Sequence, residues 1–141
     1  MAQKQAQTTY TTALNLRNAL QAKGLYPQLQ PDMAVYDGAQ NDQHLLHGQF
    51  DDGSFRTINI QQNSIGFDFI VPTDSAIVRI WVERELQVLI GSLPGVGGSS
   101  GVFANNSWTW TIKFNSQNIA GSDSNKPDAI AKALINVLAL I

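Results

Sequence analysis

Between Ser107 and Phe114 the chain reads SWTWTIKF. Trp108, Trp110, Ile112 and Phe114 alternate there with Thr109, Thr111, Lys113 and Asn115. A period of two is the mark of a β-strand that buries one face and leaves the other to water. That pattern suits an antiparallel sheet covered on one side. The rest of the chain must therefore supply partner strands and something apolar to cover the tryptophan face.

The C-terminal segment supplies the cover. Ile130, Ala133, Leu134, Val137, Leu138 and Ile141 recur at i, i+3, i+4, i+7, i+8 and i+11, an amphipathic helix running to the last residue. Pro127 stands where a helix favours its first proline, after Asn125 and Lys126. A second helical stripe runs from Thr8 to Lys23 through Tyr10, Ala13, Leu14, Leu16 and Leu20, with Thr8 or Thr9 as cap. Gly24 followed by Leu25 is its stop, since glycine takes the left-handed conformation that closes a helix. Residues 1–7 read as a polar tail.

Strands fill the middle. Pro27 to Tyr36 reads as a first strand interrupted near Pro31, and YDGAQND as a turn. QHLLHGQF and SFRTINIQQ flank DDG, a hairpin signal. QQNSIG turns into IGFDFIV, and Pro72 to Ser75 turns again. Residues 76–90 are ambiguous: their β-branched content favours a strand, and a helix capped by Thr73 or Asp74 is the alternative. Helix, grouped strands, helix is the order of an α+β domain. The expectation is a single domain over residues 1–141, with an N-terminal helix, an antiparallel sheet of about five to seven hairpin-connected strands, and the C-terminal helix packed on it.

The glycine-rich stretch Gly91 to Asn106 leads into the tryptophan strand. A phosphate-binding P-loop needs Lys and Ser/Thr after its last glycine and then a helix. Here VFANNSWTW follows Gly101, and Ser100 stands where a dinucleotide fingerprint needs glycine. The stretch reads instead as a loop or arm whose glycines allow close approach to a partner. Leu93, Val96, Val102 and Phe103 offer it apolar contacts, with Trp108 and Trp110 fixing its base; these six are the candidate interface residues.

Other constellations are weaker. His44 and His47 are the only histidines, and a spacing of three puts them on opposite faces of a strand, wrong for one ion. They read as exposed hairpin residues; with Asp42, Asp51 and Asp52 they would form the metal site of a hydrolase, a minor alternative. Glu83 and Glu85 share a strand face without a lysine beside them and read as a solvated or interface face. With no cysteine, disulfides, thiolate metal sites and cysteine nucleophiles are excluded. No cofactor motif and no catalytic set emerges, so the chain reads as a non-enzyme. Asn105-Asn106-Ser107 matches a glycosylation sequon by chance composition.

Charge shapes the functional expectation. Asp, Glu, Lys and Arg make up 14% of residues, against roughly 25% in an ordinary soluble domain. A weakly charged surface repels copies of itself weakly. The net charge of −2 carries no basic excess for nucleic acid. No apolar run is long enough for a bilayer, and MAQKQAQTTYTT lacks the apolar core of a signal peptide. The expectation is a cytoplasmic or virion protein that associates with itself or with other assembly subunits. It would be a structural component of a homo-oligomeric ring or particle, for example at a phage-like head–tail junction or tail. A small-molecule-binding module with a pocket lined by Trp81 or Trp108 is the alternative.

Overall fold

A computed structural model describes residues 6–60 and 64–141 of the chain. The contacts divide into two compact units: one joins the segment up to Leu25 with Trp81–Ile141, and the other is Tyr26–Ile80. The α+β class holds, with three helices and eight strands among the described residues, arranged as two antiparallel sheets instead of one.

The unit Tyr26–Ile80 is a five-stranded sheet. Its strands are β1 (Ala34–Asp37), β2 (Gln43–Gln49), β3 (Phe55–Asn59), β4 (Ser64–Ile70) and β5 (Ile77–Arg79), in the order β4-β3-β2-β1-β5. The DDG turn joins β2 to β3 as expected, with Gly53 at φ 89° and Asp52 Oδ1 accepting from the Ser54 N–H at 2.9 Å. Val35, Leu46, Phe55, Ile70 and Ile77 make one core cluster, against which Leu29 and Met33 pack. The strand expected from Pro27 begins only at Ala34: Pro27 and Pro31 leave the approach irregular, and it serves as packing cover. The turn expected at QQNSIG falls in part on residues 61–63, outside the described residues.

The other unit holds α1 (Tyr10–Ala22), α2 (Glu83–Gly91), β6 (Val96–Ala104), β7 (Ser107–Phe114), β8 (Gln117–Asp123) and α3 (Lys126–Leu138). α1 ends as its sequence predicts. The Leu25 N–H reaches Leu20 O at 2.9 Å and the Gly24 N–H reaches Gln21 O at 3.1 Å, with Gly24 at φ 68°. α3 carries the predicted proline in its first turn, buries Ile130, Leu134, Val137 and Leu138, and stops at Leu138, short of the last residue. Burying side chains of this size contributes about 1.5–3 kcal/mol each. Its opposite number is the tryptophan face of β7, where Trp110, Ile112 and Phe114 are buried.

Two expectations need correction. The segment 76–90 is neither one strand nor one helix: Ile77–Arg79 is β5, and α2 begins at Glu83. Leu86 and Ile90, four apart, turn inward, while Val88 is left outside. Glu83 and Glu85 are therefore helix residues. Glu85 Oε1 accepts from the Val82 N–H at 3.1 Å, closing the first turn, and Glu83 pairs with Lys126 at 2.9 Å. The stretch 91–106 is not a loop or arm. It is the end of α2, a short turn, and strand β6, paired with β7 from Val96↔Phe114 to Ala104↔Ser107 with a bulge between Val96 and Gly98. Pairing to β7 overrides the flexibility that glycine and serine suggest.

Candidate functional site

The β6–β7 hairpin turns on Asn105 and Asn106 at φ 54° and 59°, two left-handed residues between the paired Ala104 and Ser107. This is the two-residue type I′ turn that matches strand twist. It also fixes which backbone groups point where. Ala104 and Ser107 exchange hydrogen bonds, so Val102 and Ser100 bond inward to β7, while Ser99, Gly101 and Phe103 turn their N–H and C=O groups outward.

The six candidate interface residues part into two sets. Leu93 and Trp110 are buried within their own unit, and Val96 is half-buried. Trp110, 6% exposed, lies flat over Gly101, where a Cβ would come within 2.3 Å of its ring. The glycine is thus demanded by the tryptophan opposite. Val102 and Phe103 are exposed, Phe103 at 53%. The Phe103 ring meets half-buried Trp108 at 5.2 Å between centroids, and Lys126 Nζ stands 4.6 Å over the Trp108 ring. Phe103, Trp108 and Lys126 make a strip beside the outward edge of β6, with Lys126 anchored by Glu83.

The two edges of this three-stranded sheet differ. On β8, Ala120 O accepts from Asn136 Nδ2 at 2.8 Å, and Asp123 is tied to Lys132 at 2.7 Å. Burial pushes Asp123 upward, but hydrogen bonds from Lys132 and from the Asn125 and Ser124 backbone outweigh it and hold its pKa below the usual carboxylate value. Side chains from α3 thus guard that edge. On β6, among the described residues, no hydrogen bond reaches the outward groups of Ser99, Gly101 and Phe103. No charged residue stands anywhere between Glu85 and Lys113. Natural sheets guard exposed edges with lysine, proline or inward charge; beyond the bulge at its start, β6 has none of these.

The histidines behave differently from each other. His47 is exposed, as expected. His44 is not an exposed hairpin residue: it is 2% exposed. Its Nε2–H donates to the Asp42 carboxylate oxygen Oδ1 at 2.6 Å, and Nδ1 shares a hydrogen bond with the Thr57 hydroxyl at 3.1 Å. Asn59 Nδ2 also approaches Asp42 Oδ1, at 3.4 Å. The connectivity is that of a hydroxyl–imidazole–carboxylate triad, but Thr57 is 1% exposed, so no substrate carbonyl can meet its oxygen. Asp37, Asp42 and His44 also place one ligand atom each within 4.8 Å of one another. Both His44 nitrogens are already engaged in hydrogen bonds, so a cation there would have to displace Asp42 from Nε2. Asp51 and Asp52 stand apart in the β2–β3 turn, where Ser54 bonds lower the Asp52 pKa. Asp37, Thr57 and Asn59 went unnoticed in the sequence, because only the register β1–β2–β3 brings them to His44.

Trp81 is buried at the start of the second half of its unit, its backbone N–H donating to Thr8 Oγ1 at 3.1 Å. Two open grooves, of about 500 and 460 Å³, are lined by Glu83, Arg84, Gln87 and Val88, and by residues of β8 and α3 with Asn15; neither carries a tryptophan. No described helix is long and apolar enough to cross a membrane. Comparison with family models, curated proteins and solved structures found no match to the chain.

Proposed function

We propose that the protein is a non-enzymatic assembly subunit that associates with copies of itself in a ring or particle, of the kind that builds a virion or phage-like tail. The observation that carries this reading is the outer edge of β6, which is uncharged, unpartnered in its backbone among the described residues and flanked by exposed Val102 and Phe103. Unpaired strand edges are templates for another chain. The low overall charge supports the same reading, since few like charges oppose the approach of copies. The Thr57–His44–Asp42 chain, buried at Thr57 and His44, serves in this reading as a structural lock, with its hydroxyl closed to solvent.

The test is the mass of the purified protein by light scattering over a hundredfold range of concentration. Assembly that grows with concentration and persists in high salt is the expected result, because backbone pairing and apolar contact are screened little by ions. A monomer throughout the range overturns the reading.

A further inference from the structure

Resting on that reading, we propose that the occupant of the β6 edge is the β6 edge of a second copy, paired antiparallel about a two-fold axis through Gly101. Three features of the strand lead there. First, the outward groups belong to Ser99, Gly101 and Phe103, and the bulge ends before Ser99, so the regular free run is centred on Gly101. Antiparallel pairing of two such runs sets Ser99 opposite Phe103 of the other copy, Gly101 opposite Gly101, and Phe103 opposite Ser99. Each of these pairs exchanges two backbone hydrogen bonds and uses every outward group.

Second, the side chains fit that register. Ser99 offers little bulk against Phe103, Ser100 little against Val102, and the axis passes between two glycines. On either side of the axis a large residue meets a small one, as Trp110 already meets Gly101 within the chain. Third, the strand is uncharged, so a self-pairing brings no like charges together; a partner recognised by charge would find nothing on β6 to read. The β8 edge, guarded by Asn136 and Lys132, offers no equivalent place. The result is an isologous contact in which the two sheets continue into one of six strands.

The chain has no cysteine, so cross-linking is clean. Ser100→Cys and Val102→Cys variants are made separately, one carrying a size tag, then mixed and oxidised. The register places position 100 of one copy opposite position 102 of the other, so the two introduced thiols meet on a pair of close Cβ atoms. The mixture should give a covalent heterodimer within minutes, and each variant alone should give at least tenfold less covalent dimer. Mass by light scattering is read on the same samples. An assembled protein that does not cross-link in the mixture overturns the pairing and leaves the assembly reading standing, with another surface, such as the β4 edge, as the contact. Equal cross-linking in each variant alone overturns the register. A monomer in every sample overturns both proposals. As a second measurement, Ser99→Pro removes one outward N–H, which edge strands tolerate; it should keep the parent's circular dichroism and lose the dimer. A dimer that survives Ser99→Pro counts against the pairing.

Discussion

Gly121→Ala probes the packing that holds the tryptophan sheet to α3. Gly121 lies in β8 opposite Trp110, where the helix crosses the sheet. A Cβ there would stand 2.2 Å from Ala133 N, 2.7 Å from Lys132 C and 2.8 Å from Ala129 O. Carbon contacts are comfortable at about 3.5–4.0 Å, so strand and helix must separate locally by an ångström or more. The obstacle is helix backbone, which cannot rotate aside as a side chain can. Separation loosens buried Ile130, Leu134 and Val137 together. Overpacking a core costs about 1–3 kcal/mol, and a backbone obstacle belongs at the upper end. For a chain of this size each kcal/mol moves the melting temperature by about 2–4 °C, so a fall of roughly 10 °C is expected. Gly97→Ala is the control: its Cβ would meet nothing closer than Lys113 Cδ at 3.7 Å. Thermal melts by circular dichroism and urea unfolding by tryptophan fluorescence read both variants. If Gly121→Ala melts with the parent and with Gly97→Ala, the close approach of α3 to β8 is wrong.

Asp128, 2% exposed, accepts from the Thr9 N–H and the Thr9 hydroxyl, both at 2.9 Å, and so ties the start of α1 to the start of α3. Asp128→Ala should lower stability by about 1–3 kcal/mol in urea unfolding, and Asp128→Asn by less, since one acceptor remains. His44→Ala empties a buried ring site and removes the His44 bonds to Asp42 and Thr57, and should lower stability by about 1–3 kcal/mol, whereas chelation of divalent ions should leave the parent's unfolding midpoint where it was. The lowered pKa of Asp123 contributes stability that is present above the unfolded carboxylate value and lost as pH falls through the lower folded one. Acid unfolding below about pH 4 should therefore include a step that Lys132→Ala diminishes, measured as melting temperature against pH.

The parts legible in the sequence are those whose signal is local. α1, α3 and β7 each carry a long period that survives any partner, and Gly24, Pro127 and the DDG turn carry backbone constraints of their own. β6 was illegible because glycine and serine have no apolar period; its strand is imposed by β7 across the turn at Asn105 and Asn106. Residues 76–90 misled because one run of Val, Ile and Leu holds the end of a sheet and the start of a helix. Only Leu86 and Ile90, turned inward four residues apart, distinguish α2. The surroundings of His44 depend on register across three strands, which no spacing in a single segment encodes.

The composition of β6 separates folding from association, and that separation is itself testable. Gly101 is required by the Trp110 ring and Gly98 by a backbone φ of 152° at the bulge. Ser99 and Ser100 answer to neither demand: both are exposed. For a strand meant to stay alone, these are the places for charge, which guards an edge at little cost to folding. Placing the guard should therefore reveal what its absence serves. Ser99→Lys combined with Ser100→Lys puts two positive charges on the edge of each copy, and the proposed pairing sets all four along one seam about 14 Å long. Exposed substitutions of this kind usually change stability by no more than about 0.5 kcal/mol, so the melting temperature of the dilute protein should barely move. Association should fall at least tenfold and recover in part at high salt, where the added charges are screened. If the double variant associates as the parent does, at low salt and with its fold intact, copies do not meet along β6, and the lack of charge there has no part in assembly.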